Sequence, residues 1–249
     1  MDNNQNYKER YIAFIDVLGF EKSILNIKNE PDSYEKIVTA LTNISTIREL
    51  TQIVRSERSD PNAVKDREKR EDLRIQAFSD CIVISTNCNS IGLMAVTAIS
   101  ALIYRILFTY GFYARGAITK DLLTHSDNIV FGKGLVQAYS LEQKVAIYPR
   151  IILAQNVHSD LSNSKMSIPR KTDFDGQVFL DVFDSSVKKF IQTWNERQSN
   201  PNAHINLEHG RTELMQNLGK ASETAIVQKL TWLKNYFNFN AIALGLKEI

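Results

Sequence analysis

In residues 11–25, YIAFIDVLGFEKSIL, an apolar run from Tyr11 to Ile15 is broken by a carboxylate, Asp16. A run this continuous reads as a strand buried on both faces. An acidic side chain near its end is costly unless it is hydrogen-bonded, ion-paired or bound to a metal. The next residues, Leu18-Gly19-Phe20, form a short turn whose glycine lets backbone approach a neighbour closely. Taken alone, such an aspartate more often serves as the cap of a turn.

The partner that changes this reading is Asp80. Two strand-like segments, LRIQAF (73–78) and CIVIST (81–86), are separated only by Ser79-Asp80, which reads as a hairpin with Asp80 at its tip. If the first strand lies beside that hairpin, Asp16 and Asp80 converge on one edge of a sheet. Two carboxylates held together repel, and a divalent cation relieves them. Mg²⁺ and Mn²⁺ favour such oxygen sites, completed by water and triphosphate oxygens. Glycine-bearing turns at Gly19, Gly132 and Gly134 would present backbone amides to phosphates.

Composition bounds the alternatives. The 249 residues are 43% hydrophobic and 23% charged, ordinary for a folded globular chain. Thirty basic and 28 acidic residues leave a net charge of +2, so bulk electrostatics do not point to nucleic acid. Cys81 and Cys88 can build neither a disulfide framework nor a CxxC metal site, and Cys81 reads as a small core residue. The polar start MDNNQNYKER has no signal-peptide core, so a reducing cytoplasm is expected. Residues 90–112, SIGLMAVTAISALIYRILFTYGF, are long enough to span a bilayer. They contain Arg105 and lack a basic flank, and so read as a buried core helix, with no membrane partner.

Along the chain, residues 33–54 carry Ile37, Ala40, Leu41, Ile44, Ile47 and Leu50 at helical spacing behind a Pro31-Asp32-Ser33 cap. The charged stretch 55–72 reads as an exposed loop. After the long helix, FYARGAITKD (112–121) reads as a strand bearing Arg115 and Gly116. Residues 131–146 read as a glycine-rich entry to a helix, and YPRIILAQNV (148–157) and GQVFLDVF (176–183) as strands. Two amphipathic helices, 184–198 and 221–238, flank a polar linker. The order β-α-β-β-α-β-α-β followed by helices predicts an α+β fold: a sheet core over residues 1–183 and a helical C-terminal extension over 184–249.

Several of these segments resemble class III nucleotidyl cyclases. FIDVLGF (14–20) is similar to the first metal-bearing strand of that family, FSDCIVIS (78–85) to its second metal-bearing hairpin, RGAIT (115–119) to the next strand, and FGKGLVQAYSLE (131–142) to its GxxVNxAxRLE helix. Three positions depart: Ser79 stands for the hairpin glycine, Val136 for a ribose-binding asparagine, and Ser140 for the transition-state arginine. The whole pattern, with YPRI (148–151) and KLTWLKNYFN (229–238), resembles the pyrimidine cyclases of bacterial Pycsar anti-phage systems. That resemblance implies a ferredoxin-like βαββαβ core acting as a homodimer. It implies conversion of UTP or CTP, with UTP favoured, to a cyclic 3',5'-monophosphate that activates a separate effector.

On this resemblance Asp16, Asp80 and the Val17 carbonyl are the expected ligands of two Mn²⁺ or Mg²⁺ ions, with Asp121 a weaker carboxylate candidate. With Ser140 at the usual arginine position, Arg115 and Arg150 are the candidates to neutralise the transition state. Gly19, Phe20, Gly132 and Tyr139 are expected at the nucleotide. Phe20, Phe78, Tyr139 and Tyr148 are the side chains available to narrow a base pocket. Lys133 and Lys144 read as solvated. The four histidines show no metal spacing and are expected on the surface or in loops, while Trp194 and Trp232 read as packing anchors. Two alternatives stay open: a polymerase-like oligonucleotide synthase, and a non-catalytic nucleotide-binding scaffold.

Overall fold

The computed structural model describes residues 7–28, 31–45, 47, 71–164, 166–198 and 204–249. Most of the charged stretch 55–72, and the end of the helix expected over 33–54, lie outside them. Strand β1 (Lys8–Leu18) leads through a short α1 (Phe20–Leu25) and α2 (Pro31–Ser45) to the hairpin of β2 (Arg74–Phe78) and β3 (Cys81–Asn87). Helix α3 (Ser90–Thr109) then returns the chain to β4 (Tyr113–His125). In the sheet these strands run β2-β3-β1-β4, and β1 is antiparallel to both neighbours. This is the βαββαβ order of a ferredoxin-like core in an α+β fold, as expected.

Past a short β5 (Val130–Phe131), α4 (Lys133–Lys144) crosses to β6 (Ile151–Leu153), which pairs parallel with β4. Helix α5 (Gln155–Asn163) and the hairpin of β7 (Arg170–Thr172) and β8 (Val178–Leu180) complete the sheet edge. Three helices close the chain: α6 (Val187–Arg197), α7 (Leu207–Lys220) and α8 (Thr224–Leu244).

The apolar run of β1 is buried on both faces for a geometric reason: successive side chains of a strand point to opposite sides. Tyr11, Ala13, Ile15 and Val17 join the main core with Ile82, Ile84 and α3. Ile12 and Phe14 join a smaller core with Val83, Leu123 and Ala138 of α4. Asp16 shares the parity of Ile12 and Phe14 and so stands on the α4 side of the sheet. Helix α3 is apolar and long enough to cross a membrane, and it is largely buried within the fold. Arg105 in it donates to the Val182 carbonyl at 2.7 Å, and burial pushes its pKa down to about 10.

Several local expectations are corrected. The strand expected through residue 157 ends at Leu153, because Val157 and Leu161 are buried four residues apart, as helix α5 requires. The polar linker contains the start of α7, where the Asn206 side chain accepts the His209 backbone N–H at 3.0 Å as an N-cap. Asp72, at the end of the charged stretch, is an internal partner rather than a solvated residue, for it pairs with the buried Arg10. His125 is buried on β4, contrary to the expected surface position, with Nδ1 2.8 Å from Ser85 Oγ.

Candidate metal centre

Strand register assembles the site. Asp16 lies opposite Cys81 on β3 and opposite Arg115 on β4. The hairpin is tied to the end of β1 by the Val17 N–H donating to the Asp80 carbonyl at 3.0 Å. Ser79 at the hairpin takes φ 56°, the left-handed conformation that glycine adopts most readily. The turn therefore keeps its shape despite the serine. One ligand atom each from Asp16, Asp80 and Cys81 lies within 4.8 Å of the others. The two aspartates, 64 positions apart in sequence, do converge.

The opposite wall comes from α4, whose buried residues Gly134, Ala138 and Glu142 recur every four positions and so face the sheet. Glu142 is fully buried. Arg115 Nε donates to Asp16 Oδ2 at 3.1 Å and lies 2.5 Å from Glu142 Oε1. Glu142 Oε2 accepts from Gln143 Nε2 at 2.9 Å, but Oε1 has no hydrogen bond despite its burial. Burial raises the Asp16 carboxyl above its ordinary pKa, Arg115 lowers it and the Asp80 charge raises it again. Burial also raises Glu142, opposed by Arg115 and reinforced by Asp16.

Two carboxylates on one guanidinium, with Asp80 close beside Asp16, gather negative charge that suits a divalent cation. Burial and the neighbouring aspartates push the Cys81 thiol up to about 12. It therefore stays protonated near neutrality, and the donor set is one of hard oxygens. Cys81 is half-buried and packs against the smaller core, as a small core residue should, with its sulfur beside the carboxylates. Glu142 was not singled out in the sequence; its signal was the i, i+4, i+8 stripe of α4 ending in a carboxylate.

The other expected residues are placed as follows. Gly19 has φ 76° and an added Cβ would meet nothing within 4 Å, so the turn's conformation, not crowding, calls for glycine. Phe20 begins α1 and is buried in the main core. Gly132 precedes α4 with φ 152°, and a Cβ there would lie 2.6 Å from the Leu122 carbonyl; strand β4 fills the space. Tyr139 is half-exposed, its ring edge-on to Phe14 at 5.5 Å, two residues from Asp16. Phe78 is 81% exposed at the hairpin. Asp121 pairs with Lys133 at 3.2 Å, so Lys133 is ion-paired and neither belongs to the acidic cluster.

Arg150 is held elsewhere. Its guanidinium is fully buried, paired with Asp173 and Asp175 of the β7–β8 hairpin. It lies over the rings of Tyr148, Phe179 and Trp232 at 5.5–5.9 Å. Tyr148 thus stacks with Trp232 inside this clasp. Trp194 is buried, as a packing anchor should be.

No family model matches the sequence, and no curated protein does so. Among solved structures, the chain is similar to the guanylyl cyclase Cya2 at 12% identity and TM-score 0.38, covering 70% of this chain and 91% of that one. It is similar to the catalytic core of a rhodopsin-guanylyl cyclase with converted specificity in complex with ATPαS, at 11% identity and TM-score 0.39, covering 70% and 96%. A class III adenylyl cyclase-like ATP-binding protein from Pseudomonas aeruginosa matches at 14% identity and TM-score 0.39, covering 87% and 46%. At TM-scores below 0.5 these likenesses leave the reading of the site to its own geometry.

Proposed function

We propose that the chain is a pyrimidine nucleotide cyclase that converts UTP, in preference to CTP, to the cyclic 3',5'-monophosphate and pyrophosphate. The observation that carries this reading is the meeting of Asp16 and Asp80, from two separate strand ends, within 4.8 Å. Pyrimidine choice and the anti-phage role, with a separate effector reading the product, rest on the sequence resemblance. In the reaction the ribose 3'-hydroxyl oxygen bonds to the α-phosphorus and its proton leaves to solvent. The bond from the α-phosphorus to the bridging oxygen breaks as pyrophosphate departs.

Asp16 and Asp80, with the Val17 carbonyl, would hold two Mn²⁺ or Mg²⁺ ions, which lower the pKa of the attacking hydroxyl and offset phosphate charge. Arg115 is the group assigned to transition-state charge; Glu142 orients it. The clasp around Arg150 leaves that residue a structural role. Tyr139, exposed on α4 with its ring against Phe14, is assigned to the base, with the Gly19 turn beneath the phosphates. Residues 1–183 form the catalytic unit and 184–249 the extension, with two copies completing the working enzyme.

Incubation with Mn²⁺ and each of ATP, GTP, CTP and UTP, with products identified by mass spectrometry, tests this directly. A cyclic pyrimidine monophosphate that disappears in Asp16→Ala and Asp80→Ala supports it. Oligonucleotide products would make the protein a polymerase-like synthase, and nucleotide binding without any product would make it a scaffold.

A further inference from the structure

A second feature borders the Gly19 turn. A cavity of about 460 Å³ lies between that turn, helices α1 and α2, the corner at 110–113, and helices α7 and α8. Its volume falls in the range of small-molecule sites. Lysines enter from three helices: Lys36 on α2, Lys220 at the end of α7 and Lys229 on α8.

These three are not equivalent. Lys36 is neutralised by Glu213, whose two oxygens each accept from its Nζ at 2.8 Å. Lys220 and Lys229 make no ion pair among the described residues. With Glu223 the remaining rim carboxylate, the lining carries an excess of ammonium charge. Lys229, which lines the cavity, is also among the charges that act on the Asp16 carboxylate. From Asp16 to Gly19 the chain advances three residues, about 10 Å at full extension. Leu18 and Gly19, two and three residues beyond Asp16, line the cavity, so its mouth lies close to the acidic cluster.

We propose that this cavity seats the polyphosphate end of a nucleoside triphosphate whose α-phosphate lies at Asp16 and Asp80, with Lys220 and Lys229 as its binding residues. The inference rests on the cyclase reading and deepens it: the C-terminal helices belong to the substrate site. Lysine suits the task as a mobile point charge with three donors. The lysine that opens KLTWLKNYFN (229–238) thereby gains a role that packing does not supply.

The test is calorimetric titration of the full chain, in the presence of Mg²⁺, with UTP and with inorganic tripolyphosphate. The variants are Lys220→Gln with Lys229→Gln; Lys188→Gln with Lys189→Gln on α6, an equal charge change elsewhere; and Lys229→Arg. The first pair is expected to weaken both ligands at least about tenfold, the control pair less than about twofold, and Lys229→Arg to retain most of the affinity. Melting temperatures confirm folding, because all these lysines are at least partly solvent-accessible. Equal affinity in the first pair and the wild type, an equal loss in the control pair, or no binding of either ligand by the wild type overturns the proposal. If tripolyphosphate binding depends on Lys220 and Lys229 while no cyclic product forms from any nucleotide, the anion site stands and the cyclase reading falls.

Discussion

Replacing Arg150 with methionine separates its two candidate roles. The sequence offers it as a catalytic cation, whereas the structure encloses it completely between two aspartates and three aromatic rings. Removing one partner of a buried pair costs about 3–5 kcal/mol, because the other charge is left uncompensated. Here Asp175 is 29% exposed and can regain water, and Asp173 keeps the Trp232 indole N–H at 2.9 Å. The expected loss for Arg150→Met is therefore at the lower end, about 3 kcal/mol. With a urea slope of about 3 kcal/mol/M for a chain this size, the midpoint falls by about 1 M. Trp232 sits in the clasp, so tryptophan fluorescence during urea unfolding reads the change directly. Adding Asp173→Asn and Asp175→Asn to the variant should recover at least half of the loss, since no orphaned charge then remains. A variant that unfolds within about 0.3 M of the wild type but has lost turnover would refute the structural assignment and return Arg150 to the chemistry.

Three further outcomes are expected. Ser85 Oγ accepts from Arg10 Nε at 2.9 Å, so its own proton is free to point at His125 Nδ1, 2.8 Å away; burial and the charges of Arg10 and Arg74 push the His125 pKa down to about 4. Because that lies below the ordinary value of 6.5, the neutral ring stabilises the fold above pH 6.5. As pH falls from there through 4, up to about 3 kcal/mol is lost; urea midpoints should drop over this window, and less steeply in His125→Asn. Gly210→Ala should cost about 1–3 kcal/mol in thermal unfolding, since the new Cβ would lie 2.4–2.6 Å from the Phe108 ring and carbonyl oxygen, and the backbone oxygen cannot swing aside. Glu142→Gln leaves Arg115 with Asp16 alone and should cut cyclic-product formation by about 10- to 100-fold, as losses of orienting partners do, with little change in melting temperature.

What the sequence made legible follows from the reach of each signal. The continuous apolar run of β1 and the two-residue gap at Ser79-Asp80 are local patterns tied directly to burial and turn geometry. They therefore located the strand, the hairpin and both metal-ligand candidates. Arg150 carried no such signal, because its aspartates sit 23 and 25 positions downstream on a hairpin whose first strand, β7, is only three residues long. Helix α7 was obscured by its polar start, although Asn206 is an ordinary N-cap and Leu207, Gly210 and Leu214 repeat at helical spacing. Glu142 and His125 were missed for one reason: whether a polar residue is buried depends on which element lies across from it, and that is a tertiary fact.

The acidic cluster also fixes the sign of a trade between stability and function. Asp80 has no basic partner among the described residues, while a ligand atom of Asp16 lies within 4.8 Å of one of its own. At that separation two like charges cost between about 0.9 and about 3.5 kcal/mol, for effective dielectrics of 80 and 20. Asp80 is partly exposed, so the lower end applies, about 1 kcal/mol. Asp80→Asn removes the repulsion without a change of shape, and in cation-free buffer it should melt about 2–4 °C above the wild type. With Mn²⁺ and a triphosphate the order should reverse, because the wild type gains the linkage stabilisation of a bound ion and the variant does not. A carboxylate kept only as a turn former predicts the opposite in cation-free buffer: equal or lower stability on substitution, and no response to Mn²⁺ in either protein. Two melting curves with and without the ion thus decide whether the aspartate that breaks the pattern of an apolar strand, and its partner on the hairpin, are held together for a cation.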